Sequence, residues 1–159
     1  MKNSPIYYLI FFLIFNLSLT AQELEIKSEK VQYDNINKVT VLEGNVNVND
    51  EKGNKLFSEY ANYSELDGII ETKGDTKIIT SGGYEVFSNN VIFDNKKSLI
   101  YSNNKTKIRD KDGNNVSVEM FNYSILTNIF FSKGNIKIKD INNNDYNFSE
   151  IYIDENKKK

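Results

Sequence analysis

The residues best placed to do chemistry in this chain are acids and amides in short loops. Asp110-Lys111-Asp112-Gly113-Asn114 alternates oxygen donors as a calcium loop does. A helix-flanked calcium loop, however, needs further oxygen ligands and a Glu at its twelfth position, where this chain has Phe121. The counterpart Asp50-Glu51-Lys52-Gly53-Asn54 keeps the loop and loses the alternation, so both read as turns. The carboxylate pairs Asp140 with Asp145 and Glu65 with Asp67 sit in similar turn-like stretches. The sequence contains no His and no Cys, so no Ser has an imidazole to activate it and no thiolate is available. No cofactor or metal is expected, and an enzyme is not. The remaining chemistry is that of apolar side chains at regular spacing.

That spacing is 30 residues. Tyr33, Tyr63, Phe93, Tyr123 and Ile153 keep it, as do Val48, Ile78, Ile108 and Ile138, and Val39, Ile69, Leu99 and Ile129. Ile26, Leu56, Val86, Val116 and Tyr146 form a fourth set. A glycine-led phrase keeps the same step: Gly44-Asn45-Val46, Gly74-Asp75-Thr76 and Gly134-Asn135-Ile136, with Asn104 in the Gly place of the third unit. Fixed periods of this size mark repeat architectures, in which one unit cannot bury its apolar face alone.

Within a unit the pattern is that of strands. Leu56, Ser58 and Tyr60 alternate with polar neighbours, and clusters such as Ser64-Glu65-Leu66-Asp67-Gly68 and Ser81-Gly82-Gly83 supply turns. The step from Val41 to Val46 is odd and crosses Gly44, which in a straight strand would move the side chain to the opposite face. A bulge or bend at Gly44, Gly74 and Gly134 keeps both halves inward. The chain is therefore expected to be all-β: an antiparallel bent-strand β-jellyroll, an open V-shaped trough with an apolar lining and a polar outer face. The lining would comprise Val31, Tyr33, Val39, Val46, Val48, Leu56, Tyr63 and Ile69 from the first half. Ile78, Val86, Val91, Phe93, Leu99, Ile108, Val116, Val118, Tyr123, Ile129, Phe131, Ile136, Ile138, Phe148 and Ile151 would complete it. An uncovered apolar trough suits an apolar ligand. A dry core in which the same side chains meet only one another is the competing reading.

The 159-residue chain fits one domain over residues 22–156, ahead of a basic tail at 157–159. Residues 1–21 read as a signal peptide, with Lys2, the apolar run Ile6–Phe15, and a small residue at Ala21. A retained membrane anchor is the rival reading, although Asn16 and Ser18 interrupt a segment short of the ~20 apolar residues a span needs. The only Pro is Pro5, which leaves the strands uninterrupted. A net charge of −2 gives no steering toward nucleic acid. The first and last strands have no partner within the chain, and open edges template pairing unless blocked. The fifth repeat stops after Asp154, where the stack either ends or leads into a longer design.

Leu42-Glu43-Gly44-Asn45-Val46-Asn47-Val48-Asn49-Asp50, followed by Leu56-Phe57-Ser58 and Tyr63, resembles the OstA-like (LptA-like) domain family of lipopolysaccharide transport proteins. That domain occurs in LptA and in the periplasmic N-terminal part of LptD. The likeness spans about Ile26 to Asp154 and departs in the third unit, at Asn104. The resemblance implies a periplasmic jellyroll that bridges to the outer membrane. It would carry lipopolysaccharide with the lipid A acyl chains in the trough. Its partners would be other jellyroll-domain transport proteins, or a second copy, joined by edge-strand addition. A membrane-anchored LptC-like subunit and a structural or adhesive β-repeat protein are the alternatives.

Overall fold

The computed structural model describes residues 23–157, so the signal peptide expected at 1–21 and the last two lysines lie outside the described residues. Among the described residues, fourteen antiparallel strands form a single sheet folded along one line into two walls. Four long strands run through both walls: β3 (Val39–Asp50), β4 (Lys55–Ser64), β13 (Ile129–Lys139) and β14 (Asp145–Asp154). The first wall adds β2 (Lys30–Asp34), β5 (Ile69–Thr72), β8 (Ile92–Asp94), β9 (Leu99–Ser102) and β12 (Phe121–Ser124). The second adds β1 (Leu24–Lys27), β6 (Asp75–Ile79), β7 (Glu85–Asn89), β10 (Thr106–Arg109) and β11 (Asn115–Val118). Each repeat thus runs out along one wall, turns, and returns through the crease to the other.

The crease forms where the glycine phrase stands. The β3–β4 register slips between Glu43 and Val46, and the β13–β14 register slips between Lys133 and Ile136. Gly44, Gly74 and Gly134 take φ of 73°, 78° and 110°, a region that costs a residue with a Cβ. The third unit bends without a left-handed residue at Asn104. Its side-chain amide instead donates to the Asn89 carbonyl at 3.0 Å, holding the irregular backbone by a hydrogen bond.

The turns follow from Asx chemistry. The Asp50 carboxylate accepts from the backbone amides of Lys52 and Asn54 and from the Asn54 side chain. Asp110 and Asp140 repeat this with Asn114 and Asn144. The calcium-like oxygens of Asp110 are therefore engaged in folding their own turn.

Rows of side chains line the inner faces. On the second wall Ile26, Val48, Leu56, Ile78, Val86, Ile108, Val116, Ile138 and Tyr146 stand side by side. On the first wall a comparable row runs Tyr33, Thr40, Tyr63, Ile70, Phe93, Ile100, Tyr123, Phe130 and Ile153.

Five residues expected in the lining lie on the opposite face. Val39, Ile69, Leu99, Ile129 and Phe131 pair across the strands with Asp34, Ser64, Asp94, Ser124 and Asn122, on the outer surface of the first wall. Their neighbours Thr40, Ile70, Ile100 and Phe130 point inward instead. The cause is the continuous apolar runs Ile69-Ile70, Leu99-Ile100-Tyr101 and Ile129-Phe130-Phe131, where alternation gives no parity and pairing register decides. The outer face of the first wall is consequently apolar in part, with the Phe131 ring against that of Tyr152, tilted by 33° at a centre separation of 4.7 Å.

Candidate functional site

The interior between the walls is the candidate site, and its middle is filled. Val46, Val48, Leu56, Ile78, Val86, Val91, Ile108, Val116, Val118, Phe93, Tyr123 and Ile136 are all buried, each at most 5% exposed. The side chains of facing walls meet there. Tyr63, Ile138 and Ile151 are half-buried against them.

The ends differ from the middle, and they differ from each other. At the amino-terminal end the inward-facing Val31 and Tyr33 of the first wall are 62% and 58% exposed, while Leu24 and Ile26 of the second wall pack on the core. At the carboxy-terminal end the exposed inward residues are Tyr146 and Phe148 of the second wall, while Ile151 and Ile153 of the first are partly buried against the core. Sheet twist staggers the walls, so that each end projects one uncovered inner surface. Beside each projection lies an edge, β1 with β2 at one end and β14 at the other, that has no strand on its far side among the described residues.

A second ring of inward residues follows the crease, and it is polar. Ser58, Thr72, Thr76, Ser88, Ser102, Thr106 and Ser132 are buried. Ser88 and Thr106 hydroxyls meet at 2.7 Å, as do those of Thr72 and Thr76. Ser102 donates to the Asn89 carbonyl and Ser132 to the Met120 carbonyl, each at 2.7 Å. The bends interrupt the backbone ladder, and these hydroxyls take up carbonyls the ladder leaves over. They were readable in the sequence, since Ser58 and Ser88, Thr72, Ser102 and Ser132, and Thr76 and Thr106 all keep the 30-residue step.

The tips of the two walls touch opposite the crease. The Lys52 ammonium, in the β3–β4 turn, donates to the Ile125 carbonyl in the β12–β13 turn at 2.7 Å. The Glu155 carboxylate, just beyond β14, accepts from Thr80 Oγ1 at 2.6 Å and from the Tyr123 hydroxyl at 2.8 Å. Burial is the main cause that pushes the Glu155 carboxyl above its ordinary range. Burial, reinforced by the Glu155 charge, pushes the Tyr123 hydroxyl up as well. On the outside, a hollow of about 750 Å³ near the crease is bordered by Phe57, Lys77, Phe87 and Lys107, with the Lys77 ammonium 5.4 Å from the Phe87 ring centre.

The fold of this single bent sheet is similar to that of a solved structure. The chain superposes on LptH from Pseudomonas aeruginosa with a TM-score of 0.59 at 14% identity, covering 70% of this chain and 82% of that one. LptH is described as the LptA homologous periplasmic component of the conserved lipopolysaccharide transport device. The fold is LptA-like. No protein-family model matches the chain, and no curated protein does.

Proposed function

We propose that this protein is a periplasmic conduit for lipopolysaccharide, taking the acyl chains between its walls and passing them to a like domain during outer-membrane assembly. The observation that carries this reading is the pair of projecting inner surfaces, Val31 with Tyr33 at one end and Tyr146 with Phe148 at the other, each beside a sheet edge that is free among the described residues. A protein with a merely dry core gains nothing from leaving inward aromatics in water, where each forgoes roughly 1.5–3 kcal/mol of burial. Joined edge to edge, the β14 end of one domain and the β1–β2 end of the next would extend both walls and cover both projections. The partner is a jellyroll transport protein or a second copy of this chain.

The work asked of the protein is transfer, with no bond made or broken. Lipid moving between two apolar interiors exchanges equivalent surroundings at ~0.8 kcal/mol per CH₂ in each, so little is lost per step. The periplasmic location belongs to the same reading, with the amino-terminal segment as its export signal. The LptC-like alternative keeps that segment as an anchor, and N-terminal sequencing of the exported protein separates the two.

The filled middle favours a second reading, a structural β-repeat protein, and one experiment decides. A photo-crosslinker at Phe93 or Ile138 in the exported protein is expected to capture lipopolysaccharide in cells. Crosslinks confined to outward positions such as Lys77 or Lys107 would favour the structural reading.

A further inference from the structure

An acyl chain can enter a filled interior only if the walls part, and they are tied at their tips. We propose that Glu155 is the latch of this mouth: with Thr80, Tyr123 and Gly82 it fastens the tip of the first wall to the second, and its release admits the acyl chain. The inference rests on the conduit reading for its cargo and on the geometry of the tips for everything else.

Three observations carry it. Glu155 reaches across to a hairpin 75 residues away, bonding Thr80 at 2.6 Å, while its other oxygen takes the Tyr123 hydroxyl at 2.8 Å. The Gly82 backbone amide also donates to it. A Cβ built on Gly82 would stand 2.6 Å from that carboxylate, so the contact requires glycine there.

The third observation is a break in the repeat. The second-wall turns open with Asp50, Asp110 and Asp140 and close with Asn54, Asn114 and Asn144, but the second unit has Thr80 and Tyr84 in those places. An Asp at position 80 would set a like charge against Glu155, whereas the Thr80 hydroxyl donates to it. The one turn that departs from the pattern is the one the latch engages. Lys52 on the Ile125 carbonyl adds a tie between neighbouring turns, so the contact is a short seam.

The test uses the mature chain, which contains no cysteine of its own. Thr80→Asp installs the residue of the other turns. Gly82→Cys with Glu155→Cys gives a lockable pair. The Glu155 Cβ is 2.9 Å from a Cβ built on Gly82, so the hairpin must give by roughly 1 Å to reach disulfide geometry. Uptake of a pyrene-labelled fatty acid is measured by stopped flow. Thr80→Asp and the reduced pair are expected to load roughly tenfold faster than wild type, the scale of a lost charge-assisted hydrogen bond. The oxidised pair should load more slowly than wild type.

Equal loading by the oxidised and reduced pairs overturns the latch. If no form takes up the probe, hydrogen exchange of residues 80–84 and 124–128 decides. Faster exchange in Thr80→Asp shows that Glu155 ties the tips but that its release admits no acyl chain, which overturns the latch's role together with the conduit reading, and unchanged exchange overturns the tie itself.

Discussion

Single residues hold this sheet in its bent form, and the glycines do so unequally. Gly134 has φ 110°, further into the region closed to a Cβ than Gly74 at 78°, while the Glu119 carboxylate that a Cβ there would meet at 2.8 Å ends an exposed side chain that can swing away. Gly134→Ala is therefore expected to cost about 2–3 kcal/mol and Gly74→Ala about 1 kcal/mol, read as a shift in urea midpoint. Glu155 gives a pH signature. Its carboxyl ordinarily titrates at 4.5 and burial raises it, so the folded state holds the proton more tightly than the unfolded chain does. Stability from this group is then present at low pH and falls as pH rises from the ordinary value through the raised one. The groups facing it are the Tyr123 hydroxyl, with Tyr84 and Asp50 near by, Lys52 in the next turn, and the Asp154–Lys157 pair on its own segment. Both tyrosines are pushed upward, away from this window. The unfolding free energy of wild type minus that of Glu155→Gln should decline with rising pH there, and a flat difference would contradict the assignment.

At the scale of elements, the crease is a seam of broken ladder repaired by hydroxyls. Thr106 donates to the Asn104 carbonyl at 2.8 Å and also meets Ser88, so it serves two partners in the one unit that lacks the glycine. Thr106→Val leaves the part-buried Asn104 carbonyl and the buried Ser88 hydroxyl short of a partner and should cost about 2–3 kcal/mol. Ser88→Ala removes one end only and should cost about 1 kcal/mol. A double-mutant cycle is expected to show the double variant less destabilised than the sum of the two. Edges belong to this scale too. Tyr146 and Phe148 are 44% and 48% exposed, so Tyr146→Lys with Phe148→Lys should leave the melting temperature nearly unchanged. The same pair should lower self-association, seen by sedimentation velocity, because charge on an edge discourages strand addition.

Over the whole molecule, period and bend were legible, and parity was not. The 30-residue step and the glycine phrase sufficed for a folded antiparallel stack, because both are local statements about backbone and turn. Which of Ile69 and Ile70 faces inward depends on the register with Phe93 and Tyr63, set between strands. The apolar outer face of the first wall was hidden for the same reason. The latch lay beyond sequence reading, since nothing local ties Glu155 to Thr80, although the missing Asp at 80 marked the place. The polar ring at the crease was in plain view as a serine and threonine period, overshadowed by the apolar one.

The two walls form a continuous greasy interior, closed along its middle and, among the described residues, uncovered at either end, and as a conduit that interior holds lipid. Native mass spectrometry of the mature protein, purified gently from cells, measures this most directly. A bound species with the mass of a lipid A-bearing molecule is expected, diminished in Tyr146→Lys with Phe148→Lys and released by detergent. A bare polypeptide mass under those conditions, unchanged when lipopolysaccharide is added in excess to the reduced Gly82→Cys, Glu155→Cys protein, would contradict it.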